Sequence, residues 1–293
     1  MKPELLRWLA CPRCAGALRF SSLEQLPLGG QADVPEGRLS CGACRVEYEI
    51  LDGVPRLLPE PPEGGLRRTR ESFAFEWDRY PGSLPEDEPI FLEETMLAPA
   101  AFKDKLVLDA GCGMGRYSVV ALSLGAELVA IDLSDALLRV SALAPRWPRL
   151  HAVQGNLLAP PLKARQFDVV YSQGVLHHTP DTKAAFMAVA KLVKPGGHLS
   201  VWLYGKAGRY AEFATNPLKN ADGFAARHRR LAWLIVGARH WVSDLIRVFT
   251  TRLPLRLVYG LSWLLAALGA VPLVKYLSFS VHHDIRVRAI ENF

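Results

Sequence analysis

The sequence predicts an α/β protein built on a doubly wound, mostly parallel sheet, and three observations predict it. Short apolar runs recur from Val107 to Tyr204. Segments with apolar residues at helical spacing separate those runs. The first run breaks into a glycine-rich stretch, VLDAGCGMGRYS (Val107–Ser118), before it reads as a helix. Strand and helix in strict alternation give a parallel sheet, with a ligand at the C-terminal ends of the strands.

Val107 and Leu108 end a buried-strand pattern. Arg116 to Leu124 then carries apolar residues at helical spacing, and Gly125 is its stop. Leu128 to Asp132 is a second strand, with Ser134 as N-cap of a helix from Asp135 to Leu143. His151 to Asn156 and Phe167 to Ser172 are strands three and four. From Leu192 to Tyr204 the chain reads as a helix end, a turn at Pro195, Gly196 and Gly197, and a fifth strand.

Glycines at 111, 113 and 115 carry no Cβ, so a ligand can approach the main chain and the helix N-terminus behind it. A phosphate loop would close on Gly-Lys-Ser/Thr, whereas Gly115 is followed by Arg116 and Tyr117. A dinucleotide loop wants a third glycine or alanine where Arg116 stands. Asp109, two residues before the first glycine, would repel a pyrophosphate but suits an ammonium group. Asp132 lies 21 residues after Gly111, at the end of the next strand, where a carboxylate can accept two hydrogen bonds from a ribose diol. A tight turn for the glycines and a second N-cap for Asp132 are the structural alternatives.

On these residues, the stretch Phe73–Tyr204 resembles the class I S-adenosylmethionine-dependent methyltransferases, type 11-like, with Asp109 to Gly115 as the first motif. The resemblance implies S-adenosylmethionine as cofactor. Asp109 and the backbone at Gly111 and Gly113 would hold its methionine part, with Cys112, Gly115 and Leu133 also among the cofactor-binding residues. Asp132 would hold the ribose hydroxyls, Asn156 the adenine amino group, and Ser172, Gln173 and Gly174 the reacting side. Many relatives carry Asp where this chain has Asn156. An amide oxygen still accepts a bond from the adenine amine, so weaker binding without loss of function is expected. His177 and His178 follow strand four, where an imidazole can take a proton near neutral pH. Packing at a helix start is the other reading of that pair.

Cys11, Cys14, Cys41 and Cys44 form two CxxC turns with 26 residues between them. Two such turns complete a closed tetrahedral zinc shell, which makes the metal structural and not catalytic. Val46 to Pro55 alternates as a hairpin strand and then turns, and this part resembles the zinc-ribbon modules fused to, or partnering, methyltransferases. Cys112, the fifth cysteine, is a small residue in a tight place. This cysteine usage and the absence of a signal segment ahead of it point to the cytoplasm.

The organisation read from these signals is a zinc-ribbon module over residues 1–58, a linker over 59–70, a cofactor-binding core over 71–205 and a C-terminal segment over 206–293. Metal removal is expected to unfold the first part and spare the core. Phe73, Phe75 and Trp77 lie on a short helix that the resemblance implies to be a lid, with an aromatic core anchor as the alternative. Residues 206–293 hold 13 Lys/Arg against 5 Asp/Glu, whereas residues 1–205 hold 22 against 24. All the net basicity therefore sits in the last segment. It includes an uncharged run from Leu257 to Val274, for which an apolar cap, a membrane-surface helix and a membrane span are all open. His282, His283 and Asp284 make a further cluster read as surface-exposed. The resemblance implies two more strands, and no convincing pair follows the fifth. A chain cut short in this way would associate with itself or with anionic vesicles.

The function expected is methyl transfer from S-adenosylmethionine to a small or lipid-linked acceptor. A ribosomal-RNA base methyltransferase is the enzyme alternative, disfavoured by a ribbon that is not notably basic. A non-catalytic zinc-ribbon scaffold is the alternative from another class, disfavoured by the intact Asp109, glycine loop and Asp132. An oxidoreductase is disfavoured by Arg116.

Overall fold

A computed structural model describes residues 1–21, 33–58, 64–79, 82 and 84–203. In the C-terminal part it describes 227, 228, 230, 231, 234, 241, 245, 249, 250, 253–269 and 286. Most of the basic segment, the His282–Asp284 cluster and the start of the expected linker lie outside the described residues. The chain divides into two compact units, Met1–Ala74 with Ser83–Leu203, and Phe75–Gly82 with Tyr204–Phe293.

The first unit holds a nine-stranded sheet. Its strands are β1 (Leu18–Phe20), β2 (Gly37–Cys41), β3 (Glu47–Leu51), β4 (Val54–Leu57), β5 (Leu106–Ala110), β6 (Glu127–Asp132), β7 (Leu150–Gly155), β8 (Phe167–Gln173) and β9 (Val193–Trp202). They lie in the order β1-β2-β3-β4-β7-β6-β5-β8-β9. From β4 to β9 every neighbouring pair is parallel. The order runs outward from β5 in both directions, so the topological switch point lies between β5 and β8, where open α/β sheets bind ligands. The central strands are covered on both faces and read as continuous apolar runs, with all six residues of β7 buried. β3 alternates instead, with Tyr48 and Ile50 inward and Glu47 and Glu49 outward.

All five predicted strands of the core are present, with differences between them. β9 begins at Val193, and the turn expected at Pro195–Gly197 is an irregularity inside it: Phe167 pairs with Val193, and the next pair is Val169 with His198. The first unit's helices are α1 (Gly64–Arg79), which runs into the second unit, α2 (Asp87–Thr95), α3 (Arg116–Ser123), α4 (Leu137–Ser141) and α5 (Thr182–Ala190). α1 starts inside the stretch read as linker. The helix expected from Asp135 to Leu143 is shorter, and Ala136 is its cap residue in place of Ser134.

The cysteine-bearing part does not stand apart from the parallel sheet. β4 is antiparallel to β3 on one side and parallel to β7 on the other, with Arg56 opposite Gln154 and Leu57 opposite Gly155. Leu9 bridges to Leu162, and the Ala10 N–H donates to the Pro161 carbonyl. Leu5, Leu39, Ile50 and Leu57 belong to the same buried cluster as Val129, Val153, Phe167 and Val170. The expectation that metal removal spares the core needs correcting on this point. Melting the first part would strip β7 of its neighbour and open a shared core.

In the second unit α6 (Leu255–Gly269) has 15 residues. No helix among the described residues is long and apolar enough to cross a membrane.

Candidate functional site

The glycine turn leaves β5 at Ala110 and enters α3 at Arg116. The N–H groups of Gly111 and Cys112 both donate to the Ile131 carbonyl, at 2.8 and 3.0 Å, which pins the turn against the end of β6. Gly111 has φ +91°, and a Cβ there would lie 2.4 Å from Val175. Gly115 has φ +89°, and its Cβ would meet Val140 at 2.9 Å. Both positions therefore need glycine for backbone sign and for packing within the chain. Gly113 faces the other acid: its N–H donates to Asp132 Oδ2 at 2.8 Å.

Asp132 also binds its own loop. Its Oδ1 accepts from the Ser134 N–H and the Ser134 hydroxyl, both at 2.7 Å. Ser134 carries an N-cap residue type, but the carboxylate two residues earlier takes its hydroxyl. Burial raises the Asp132 pKa, opposed by the Ser134 bonds and the Gly113 and Leu133 N–H groups.

Asp109 is buried at the end of β5 and accepts from the Ser118 hydroxyl of α3 at 2.7 Å. Burial pushes its pKa up to about 7, with Ser118 and Tyr171 pulling the other way and Asp132 adding to the rise. No cation among the described residues pairs with it. Neither Ser118 nor Tyr171 carried a signal in the sequence, because each meets Asp109 only through the fold.

The remaining positions divide. Asn156 follows β7, and its Oδ1 accepts from the Leu158 N–H at 2.9 Å. The Leu133 carbonyl accepts from Gln154 Nε2 at 3.1 Å. Gly174 has φ +71° and donates its N–H to the Trp202 carbonyl. Gln173 Nε2 donates to Ser200 Oγ at 3.1 Å. Ser172 is fully buried, and its hydroxyl donates to the Ala110 carbonyl at 2.7 Å, so its side chain ties β8 to β5 and does not project from the strand ends. His177 and His178 form a short 3-10 turn with Leu176, their rings 4.1 Å apart. Burial and the neighbouring His178 push His177 down to about 4, so it is neutral at pH 7. The Phe73 ring meets His178 edge-on at 4.9 Å.

Arg116, the residue that spoils a dinucleotide loop, pairs with the buried carboxylate of Asp87 on α2 at 2.5 Å. Asp135 accepts from Arg56, Arg70 and Gln154 at 2.8, 2.8 and 3.1 Å. Its partial burial opposes ionisation, yet these partners hold its pKa below the usual carboxylate range.

The four other cysteines form a separate cluster whose sulfurs all lie within 4.8 Å of one another. Cys11 and Cys44 are 3.6 Å apart, Cys14 and Cys41 3.5 Å. Tetrahedral zinc with bonds near 2.3 Å places its sulfurs roughly 3.8 Å apart, so the quartet fits that ion. Each CxxC turn closes alike: Ala15 and Arg45 both have φ +58°, and their N–H groups donate to the Cys11 and Cys41 carbonyls. The backbone N–H groups of Cys44 and Ala43 pull Cys41 to about 6 against its burial, favouring thiolate. Cys112 is no part of this cluster; burial drives its thiol pKa well upward.

Comparison with known proteins agrees with this division. Residues 108–201 match the family described as a methyltransferase domain, and residues 2–53 match the Trm112p-like proteins. A ubiquinone biosynthesis O-methyltransferase from Ralstonia nicotianae is 37% identical over 119 residues, covering 40% of this chain and 50% of that protein. One of the same name from Cupriavidus pinatubonensis is 38% identical over 105 residues, covering 35% of this chain and 42% of that one. The chain thus spans about half or less of the length of these relatives. Among solved structures, an S-adenosylmethionine-dependent methyltransferase from Mesorhizobium loti is 29% identical with a TM-score of 0.34, over 37% of this chain and 50% of that chain.

Asp109 gives the site a pH signature. Its folded pKa, about 7, lies above its ordinary 3.8, so the folded state binds the extra proton between those values. Its contribution is fully present below pH 3.8 and is lost as pH rises through 7, a cost on the order of 4 kcal/mol. His177 acts with the opposite sign: its contribution is present above 6.5 and lost as pH falls toward 4. Asp109→Asn is therefore expected to stabilise the ligand-free protein at pH 8 by ~1–2 kcal/mol, once the buried amide's own cost is counted, with the gain vanishing near pH 4. Thermal denaturation at both pH values measures this. An equal or negative effect at pH 8 would show that the carboxylate is not strained.

Proposed function

Given a methyltransferase domain over residues 108–201 and a Trm112p-like domain over residues 2–53, we propose that the protein transfers a methyl group from S-adenosylmethionine to a small acceptor. The observation that carries the reading is the pair of acids, buried Asp109 and half-buried Asp132, that precede and follow the Gly111–Gly115 turn in the chain. Asp109 is a carboxylate held partly protonated for want of a cation, and an ammonium group satisfies it. Asp132 keeps one lone-pair site, on Oδ2, after its bonds to Gly113 and Ser134, and rotation of the Ser134 hydroxyl away from Oδ1 frees a second for the other ribose hydroxyl. Asn156 accepts the adenine amine through the second lone pair of its amide oxygen. A scaffold that binds no cofactor would have no use for a carboxylate that costs it stability.

The cofactor supplies an electrophilic methyl group, and catalysis rests on placing the acceptor in line behind it. Ser172 positions β8 against β5, and Gln173 and Gly174 lead from that strand to the reacting side. The acceptor's proton goes to the histidine pair. Exposed His178 is the acceptor of choice, since His177 is too weak a base at neutral pH. The matched relatives are named ubiquinone biosynthesis O-methyltransferases, which favours an oxygen nucleophile on an apolar or lipid-linked acceptor here. Cys11, Cys14, Cys41 and Cys44 hold a structural zinc, a closed shell with no position for substrate. Elemental analysis finding no zinc in protein purified without chelators would remove that part of the reading.

A second element of the proposal is contact with an anionic bilayer. Leu231, Leu234, Trp241, Leu245 and Phe249 recur at helical spacing and are all exposed, Trp241 at 70%. Leu257, Leu261 and Leu264 form an exposed apolar face of α6, while Ser262 and Ala266 are buried. Residues 227–264 contain seven arginines and a single acid, Asp244. Apolar faces with aromatic residues and arginines suit a helix lying in the headgroup region, and 15 residues are too few to span.

Calorimetry is expected to register S-adenosylhomocysteine binding and no response to NAD. Asp132→Ala should weaken that binding by roughly 1.5–3 kcal/mol, and His178→Ala should lower turnover by about 10²-fold with cofactor affinity kept. NAD binding without S-adenosylhomocysteine binding sinks the reading. Sedimentation should bring the protein down with vesicles containing phosphatidylglycerol and leave it in solution with pure phosphatidylcholine. Trp241→Ala with Phe249→Ala should release it, and indifference to vesicle charge would end the bilayer proposal.

A further inference from the structure

Arg56 belongs to β4, the strand that closes the cysteine-bearing part, yet its guanidinium reaches the loop after β6. One nitrogen, Nη1, donates at 2.8 Å both to Asp135 Oδ1 and to Gln154 Oε1. Gln154, buried on β7, passes the constraint on: its Nε2 reaches the Leu133 carbonyl and Asp135 Oδ1, each at 3.1 Å. Arg70 of α1 takes the other carboxylate oxygen, Oδ2, at 2.8 Å. The loop 132–135 is thus held from inside, where Asp132 binds Ser134, and from outside, where Asp135 and the Leu133 carbonyl are held by groups from β4, β7 and α1.

An isolated surface ion pair would contribute little. This one differs because the Arg56 side chain is only 18% exposed and shares its proton donor with a residue 2% exposed. Loss of Arg56 leaves a buried amide oxygen and a carboxylate each short of a donor, and these groups adjoin Asp132 and Leu133. β4 pairs with β3 as well as with β7, and β3 pairs with β2, the strand that carries Cys41. A continuous hydrogen-bonded path therefore joins the cysteine cluster to the ribose side of the cofactor site.

We propose that Arg56 is a positioning residue for the cofactor: through Asp135 and Gln154 it fixes loop 132–135, so that cofactor affinity depends on the fold of the cysteine-bearing part. The proposal rests on the reading of Asp132 as the ribose acceptor. The geometry required of Asp132 is set by where its loop lies, and without Arg56 the outer face keeps only Arg70 and a Gln154 whose amide oxygen has lost its donor. Arg56 touches no reacting atom, so its effect falls on cofactor binding and not on the chemical step.

S-adenosylhomocysteine affinity of the full chain is measured first, then that of Arg56→Met, Arg56→Lys, Asp135→Asn and the Arg56→Met/Asp135→Asn pair. Arg56→Met is expected to weaken binding ~10-fold and raise the KM for S-adenosylmethionine in step, with kcat within ~2-fold. Arg56→Lys should recover part of the loss, since the ammonium keeps the charge and its donors but sits on a shorter, flexible stem that does not reproduce the guanidinium's placement. Asp135→Asn should weaken binding similarly, and the pair should be no worse than either alone. Chelation of the metal should weaken binding in the parent protein and add little in Arg56→Met. Wild-type affinity in Arg56→Met, or a lowered Tm with affinity intact, would overturn the proposal. Fully additive losses in the pair would do so too, because the two residues would then act separately. Should Arg56→Met fail to fold, Asp135→Asn at its half-exposed position decides the matter by the same affinity measurement. No binding of S-adenosylhomocysteine by the parent protein is a different failure, seen before any variant is made, and it removes the reading of Asp132 itself.

Discussion

Two carboxylates sit at the ends of adjacent parallel strands with a glycine turn between them, and the described residues supply neither with a cation. Asp109 is raised to about 7 and Asp132 is raised in the same direction, both chiefly by burial. Much of the site's local structure is arranged around them. Ser118 on α3 donates to one, and Gly113 and Ser134 donate to the other. The turn itself is pinned to the Ile131 carbonyl, one residue before Asp132. A fold seldom keeps buried charge that it does not satisfy, and the stability lost here is what the proposed cationic ligand would return.

The second organising feature is β4. By pairing antiparallel with β3 and parallel with β7 it makes the cysteine-bearing hairpin the outer part of the parallel sheet. A three-stranded hairpin assembly of this size has little core of its own. Here Leu39 and Ile50 share a buried cluster with Val129 and Val153, so each part completes the other. The same strand carries Arg56 to the loop beyond β6, and structural support and site geometry are therefore delivered by one element.

What the sequence made legible is what local chemistry decides. The two CxxC turns, the five core strands and the glycine turn each need residues a few positions apart, and all are present, although the fifth strand begins early and takes in the turn expected at Pro195–Gly197. Ser134 carries a sound N-cap signature, but Asp132 two residues upstream competes for its hydroxyl and the helix starts later. The Pro- and Gly-rich stretch before residue 66 reads as linker by composition, yet Gly64 begins a 16-residue helix. Val175 over Gly111, Ser118 beneath Asp109, Asp87 against Arg116, and Arg56 with Gln154 across 98 positions leave no trace in a single sequence. These contacts exist only after the chain has folded, and they are the ones that tune the site.

If Asp109 is a strained acid that a cationic ligand relieves, binding must release its proton, and that release is the most direct measurement of the strain. Calorimetric titration with S-adenosylhomocysteine near pH 7, repeated in buffers of different ionisation enthalpy, counts the protons exchanged. Because Asp109 is about half protonated in the free protein at that pH and charged beside an ammonium, binding should release about half a proton. The release should grow toward one as pH falls to about 6 and disappear in Asp109→Asn. Binding that releases no proton at any pH between 6 and 8, with Asp109 intact, would contradict the account.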